Sequence, residues 1–237
     1  MNNGRPGASD VARTTMHSLR TLIVFTSLTA LSGCGLLGGG GPGGDTNDGG
    51  ITFTSGFVSV RKDDRNLYIA DSSDYQTAQK LTDSGGAFFP SLSKDGKRVA
   101  FVKKTGTDSA LYVVSVTGGT PSLVQSSSAS VKNLRNPVFS PDGMKLAFGY
   151  DDTNSAAIGL VNVDGSGFAR LAGDASFAYG LPSFSSTGTF VLAAAGTVGS
   201  PFTQIEKIDI TTGMATNVTN TLGSEAQSIA NRLVISA

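Results

Sequence analysis

Three stretches of this chain repeat one pattern at a nearly fixed spacing. The clearest copy reads Pro137-Val138-Phe139-Ser140-Pro141-Asp142-Gly143-Met144-Lys145-Leu146-Ala147-Phe148. An earlier copy runs from Pro90 to Phe101 around Ser93-Lys94-Asp95-Gly96. A worn copy runs from Pro182 to Ala193 around Ser185-Ser186-Thr187-Gly188. The copies start 47 and then 45 residues apart. A period of that size marks a repeat architecture, in which each unit buries its apolar face only against its neighbours.

Each copy reads as a hairpin. Pro141 presets φ at the first corner of the turn, Asp142 has a carboxylate that bonds nearby backbone N–H groups, and Gly143 takes a positive φ. Asp95, Gly96 and Gly188 hold the same places in the other copies. The run Leu146-Ala147-Phe148 is continuously apolar, as in a strand covered on both faces. A second hairpin follows in each period. Its leading strands are expected at Leu111–Val116, Ile158–Val163 and Ile205–Ile210, and its closing strands near Ser122–Val124, Phe168–Leu171 and Thr216–Thr219. Four strands per period of about 40–50 residues is the make-up of one propeller blade. Leu67–Ala70, a turn over Asp71–Tyr75 and Gln79–Leu81 read as the second half of a further blade, with no recognisable first half upstream.

Ser-Pro-Asp-Gly followed by Lys-x-apolar-Ala-Phe resembles the repeat of TolB-type β-propellers, and related repeats occur in propellers of the prolyl oligopeptidase family. The resemblance covers roughly Phe89 to Thr219. It implies an all-β propeller of four-stranded antiparallel blades, and only weakly a function. The alternative is an unrelated β-sandwich with Asp-Gly turns. Residues 51–237 leave room for about four blades, the lower end of the propeller range. They form either a closed small ring or a partial propeller. Asn231–Ala237 resembles the strand after the Asp-Gly turn and is a candidate to share a blade with Leu67–Ala70, although Phe57–Val60 competes for that position.

The segment before the repeats has a different character. Met16–Arg20 is basic, Thr21–Ala30 is apolar but too short to span a bilayer, and small residues follow. Leu31-Ser32-Gly33-Cys34 resembles a bacterial lipobox. That resemblance implies a signal peptide over 1–33 (its true start at Met16), diacylglyceryl attachment at Cys34, and an acylated amino terminus carrying a palmitate-type chain. The alternative is an ordinary cleavable signal with Cys34 a bystander. Residues 34–50 read as the lipidated Cys and a Gly-rich tether with a reach of ~20–25 Å. Gly35, rather than Asp, after the Cys points by analogy to the periplasmic face of the outer membrane, with surface exposure the other option.

His17 is the only His and Cys34 the only Cys. A mature chain would therefore hold no Ser-His-Asp or Cys-His nucleophile and no imidazole or thiolate metal ligand. The length leaves no room for a hydrolase partner domain, and TolB's own N-terminal α/β domain is missing from the pattern. No catalytic residue, metal or cofactor is expected. Asp63-Asp64 and Asp151-Asp152 are the only acidic doublets; with Tyr150 they are the candidates for a carboxylate-based hydrolase or lyase. Their alternative reading is solvated loop residues, since adjacent strand residues point to opposite faces. Arg61-Lys62 and Lys103-Lys104 are small basic doublets in a chain of zero formal net charge, which leaves no nucleic-acid footprint. Phe88-Phe89 reads as inter-blade packing or as a contact site. The leading expectation is a non-enzymatic, membrane-anchored binding or scaffold lipoprotein. Its partner would be an envelope protein, a peptide or cell-wall material, recognised by loops near Ser126–Asn136, Asp151–Ala156 and Asp174–Leu181.

Overall fold

Fifteen strands and no helix make up the described residues, 56–71 and 74–219 of the computed structural model. They form four antiparallel sheets in chain order. The first sheet holds β1 (Gly56–Val60), β2 (Leu67–Asp71) and β3 (Asp74–Lys80). The second holds β4 (Ala87–Leu92), β5 (Arg98–Thr105), β6 (Asp108–Ser115) and β7 (Ser122–Ser126). The third holds β8 (Lys132–Phe139), β9 (Lys145–Asp151), β10 (Ala156–Asn162) and β11 (Ala169–Ala172). The fourth holds β12 (Phe177–Phe184), β13 (Phe190–Thr197), β14 (Gln204–Asp209) and β15 (Ala215–Asn217). Within each sheet the strands pair in sequence order, which is the meander expected of a propeller blade.

Successive sheets stack face to face. β4 packs against β1 and β8, and β12 against β8, β9 and β10, so the leading strands converge on a common axis. Alternation along β5 shows how one strand serves two interfaces. Val99 and Phe101 join Val58, Leu67 and Ile69 between sheets one and two. Ala100 and Val102 join Leu134, Leu146 and Phe148 between sheets two and three. Ile158, Leu171, Val191 and Ile208 fill the third interface. Each Val, Leu, Ile or Phe among them contributes about 1.5–3 kcal/mol when fully buried. The continuous apolar runs of the repeats are thus strands covered on both sides. Among the described residues, the first and fourth sheets do not pack together, and the four sheets form an open arc.

The repeat turns share one hydrogen-bond plan. Gly96, Gly143 and Gly188 sit at φ of 69°, 68° and 71°. Each donates its N–H to the carbonyl of the Ser three residues earlier. The hydroxyls of Ser93, Ser140 and Ser185 in turn accept the N–H of Arg98, Lys145 and Phe190. Asp142 accepts from the Ser140 hydroxyl at 2.6 Å and from the Met144 N–H at 2.9 Å. These two bonds hold its carboxyl below the usual range. For Asp95 burial is the largest influence and pushes the carboxyl up, but bonds from Ser93 and Lys97 outweigh it and leave it lowered. The worn third copy keeps the turn because Thr187 stands in for Asp, its hydroxyl 3.2 Å from that of Ser185.

The leading strands carry a feature the repeat pattern does not announce. Phe89-Pro90, Asn136-Pro137 and Leu181-Pro182 each oppose a single partner residue, namely Phe101, Phe148 and Ala193. These are β-bulges, and the residue before each proline has φ of 52°, 48° and 50°. In the first sheet, β1 pairs with β2 from Gly56↔Asp71 to Val60↔Leu67. Phe57–Val60 therefore takes the position for which Asn231–Ala237 was the other candidate; that segment lies outside the described residues. The turn expected over Asp71–Tyr75 is shorter, because β3 already begins at Asp74.

The outward face of sheet four is covered from within the chain. Val191, Ala193 and Ala195 face sheet three, so Ala194 and Gly196 face away. The β13–β14 loop folds back there. A Cβ added at Gly180 would stand 2.8 Å from the Phe202 ring, and one at Gly196 would stand 2.5 Å from the Pro201 carbonyl oxygen. Glycine at both sites permits this close approach.

Two outcomes follow from these contacts. Asp142→Asn is expected to cost about 1 kcal/mol at pH 7, the worth of a charge-assisted bond in an exposed turn. Because the folded-state pKa is depressed, that stability is present above the unfolded carboxyl range and is lost as pH falls through the folded value. Melting curves at pH 7 and below pH 3 should show the difference between the two proteins shrinking in acid. Phe202→Ala is expected to cost about 1–3 kcal/mol and to promote self-association through the uncovered face, measurable as a concentration-dependent sedimentation coefficient.

Candidate functional site

Connectivity divides the arc into two rims. The Ser-x-Asp-Gly turns occupy one, and Asp95, Gly96, Pro141, Asp142, Gly143 and Gly188 lie in turns at that end. The opposite rim gathers the starts of β4, β8 and β12 and the ends of β1, β5 and β9. Arg61-Lys62, Asp63-Asp64, Lys103-Lys104 and Asp151-Asp152 fall there, whereas Lys97-Arg98 lies at the turn rim. The loops expected at this rim are shorter than the sequence suggested: β8 begins at Lys132 and β12 at Phe177, leaving 127–131 and 173–176 as the connections.

The carboxylate candidates do not converge as a catalytic pair. Asp151 bonds Arg135 at 2.7 Å and the Asn133 amide at 2.8 Å, both from the neighbouring β8. Asp152 bonds Arg170 of β11 at 2.8 Å and accepts the backbone N–H groups of Asn154 and Ser155. Burial pushes its carboxyl up, but those backbone bonds and Arg170 leave it lowered. Tyr150 is not open to solvent. It is 2% exposed, packed with Phe148 and Phe168 at ring separations of 5.9 Å. Its position follows from parity, since residues 146, 148 and 150 of β9 share the face turned to sheet two. Burial raises the Tyr150 pKa.

The first doublet is split in the same way. Asp64 accepts from the Tyr68 hydroxyl at 2.7 Å and the Asn66 N–H at 3.0 Å, with Lys80 at 3.7 Å. The tyrosine bond is the main reason its carboxyl is lowered to about 2. Asp63 is exposed. A buried polar cluster that the sequence reading missed lies in sheet four, where the Tyr179 hydroxyl donates to Glu206 at 3.2 Å and the Gln204 amide donates to its other oxygen at 2.7 Å. Burial, then the Glu206 charge, drives the Tyr179 pKa upward.

The structure brings together basic and aromatic residues that the sequence holds apart. At the junction of sheets one and two, the Arg65 guanidinium lies 5.0 Å from the Phe88 ring centroid. The Lys104 ammonium lies 5.3 Å from Phe88 and 5.8 Å from Phe89. Lys103 donates to the Ser84 hydroxyl, and Arg61 sits 3.8 Å over Tyr68. Arg65 was absent from the sequence candidates. Nothing in its local pattern marks it, because its role comes from a loop meeting a strand of the next sheet.

The loop carrying Arg65 is tied down. Buried Asn66 and Thr82 bond each other at 3.1 Å, and the same Asn66 oxygen accepts the Gly85 N–H. Thr82 accepts the Leu67 N–H, and the Arg65 carbonyl accepts the Ala87 N–H at 2.9 Å. Arg65 itself stands at φ 54°. Among the described residues, no group of three or more His, Cys, Asp or Glu side chains is placed to hold a metal ion, and no helix is long and apolar enough to cross a membrane. Cys34, Leu31, Ser32 and Gly33 lie outside the described residues.

No curated protein shows significant sequence similarity to the chain. Among solved structures it is similar to TolB from Acinetobacter baumannii, with 21% identity and a TM-score of 0.56 over 68% of this chain and 39% of that one. It is equally similar in fold to an oligogalacturonate lyase in complex with manganese, with 15% identity and a TM-score of 0.56 over 70% of this chain and 50% of that one. A puromycin-hydrolyzing peptidase from Mycobacterium tuberculosis matches at 16% identity and a TM-score of 0.53 over 68% and 28%. The chain thus spans at most half the length of these proteins, and identities this low establish the shared fold alone. Residues 51–235 match the TolB beta propeller domain, and with that match over most of its length the chain belongs to the TolB β-propeller family.

Proposed function

We propose that the chain is a lipid-anchored, non-enzymatic binding module of the bacterial envelope. It presents a propeller arc on a short tether, fastened through Cys34 after the Leu31-Ser32-Gly33 box. The observation that carries the non-enzymatic part is the fate of the acidic candidates. Asp151 and Asp152 are committed to different arginines on different strands, and Tyr150 is sealed in an aromatic core. A carboxylate dyad needs two groups facing one reacting bond, and these face apart. The rigid stacked sheets instead suit display of rim residues for recognition.

The anchor rests on the order basic, apolar, Leu-Ser-Gly-Cys, and two or three acyl chains are enough for stable attachment. Location at the outer membrane, periplasmic face, follows from Gly35 by the same analogy. The partner is an envelope protein or peptide.

Cys34→Ala is expected to abolish incorporation of an alkyne-tagged palmitate and to move the protein from the membrane pellet to the soluble fraction. Unchanged fractionation would remove the anchor. Purified wild-type chain should not turn over oligogalacturonate or peptide amides. Turnover that Asp152→Asn abolishes while the melting curve stays intact would replace the binding reading with an enzymatic one.

A further inference from the structure

Resting on the binding reading, we propose that the Arg65–Lys104 rim site recognises an extended acidic peptide segment with carboxylates at alternate positions. Both cations lie within 5.3 Å of one ring centroid, that of Phe88, so they stand at most about 10 Å apart. Carboxylates at i and i+2 of an extended chain project from the same side about 7 Å apart, within that upper limit. Among the described residues neither cation has a carboxylate within ion-pair distance. The nearby acids are engaged elsewhere, Asp64 and Asp83 both on Lys80.

Backbone strain adds a second line of argument. A left-handed conformation is sterically costly for an ordinary L-residue, and a glycine would adopt it freely. Here the chain places arginine at φ 54°. Buried Asn66 and Thr82 lock the loop so that the side chain reaches the Phe88 ring of the next sheet. A conformation that would be more stable with glycine, yet holds a cation above an aromatic ring, has the character of a preorganised binding group. Lys103, on the Ser84 hydroxyl, adds a third positive charge beside the site.

The aromatic rings favour a peptide over an acidic polysaccharide. Sugar recognition by stacking needs an open ring face, and Phe88 already carries two cations. It holds charge in place rather than offering a platform. The affinity is therefore electrostatic and steered, and it falls with salt.

The test uses the full-length lipidated chain in detergent micelles and a fluorescein-labelled ten-residue peptide alternating Glu and Ser, read by anisotropy. Binding at low salt is expected, weakening as salt rises. Arg65→Gly should lower affinity roughly tenfold while leaving the melting temperature equal or higher, because the strain is relieved. Arg65→Lys should retain most binding, and Lys104→Gln should lose as much as Arg65→Gly. Lys97→Gln, on the opposite rim, should bind as the wild type does. The proposal is overturned if Arg65→Gly/Lys104→Gln binds the peptide normally, or if the wild type ignores it at low salt. It is equally overturned if oligogalacturonate binds in its place. An envelope partner still captured by the double variant would sink this site yet leave the binding-module reading standing.

Discussion

Everything in this fold depends on burial between successive sheets. A single four-stranded sheet of this kind has two apolar faces and no means of covering either. Val99 and Phe101 need sheet one, while Ala100 and Val102 need sheet three. Stability is therefore shared along the stack and falls to the ends for its weakest terms. The covering of sheet four by Pro201 and Phe202 belongs to this logic. The β13–β14 loop is longer than its counterpart between β5 and β6, and the extra residues close over the face that no described sheet covers.

The spacing of Pro90, Pro137 and Pro182 made the blade, its turn and its four strands legible, because turn chemistry and apolar alternation are local. Even the damaged third copy was readable as a blade, although its turn depended on Thr187 replacing an aspartate bond, which only the hydroxyl geometry reveals. The bulges were not legible. Their cause is a mismatch between leading and second strands, two residues against one, which is a property of a pair and not of either segment. Tyr150 is legible from parity with Leu146 and Phe148, which share its face of β9.

Aspartate does two different jobs here, and composition alone merges them. Asp95 and Asp142 close turns by accepting a hydroxyl and an N–H. Asp174 and Asp209 do the same with pairs of backbone donors at other turns. Asp151 and Asp152 link strands through arginine. For Asp95, Asp142, Asp152 and Asp209 the donors favour the ionised carboxylate, which is the opposite of the raised, poised carboxyl that general-acid catalysis requires. The Asp excess is thus a record of how many turns the fold must close.

Positive φ separates fold from function more sharply than charge does. Phe89, Asn136 and Leu181 recur at equivalent bulges before proline, so the repeat itself accounts for them. Asn133 lies in a second bulge of β8 opposite Tyr150, and asparagine tolerates that conformation well. Arg65 belongs to neither group. It lies in a loop of sheet one that no other blade repeats, and its side chain is unsuited to the backbone it occupies. Turn closure alone would be better served by glycine, as at Gly85 and Gly86 on the loop facing it. What glycine lacks is a guanidinium reaching Phe88 beside Lys104, and that is the one thing the strained residue supplies.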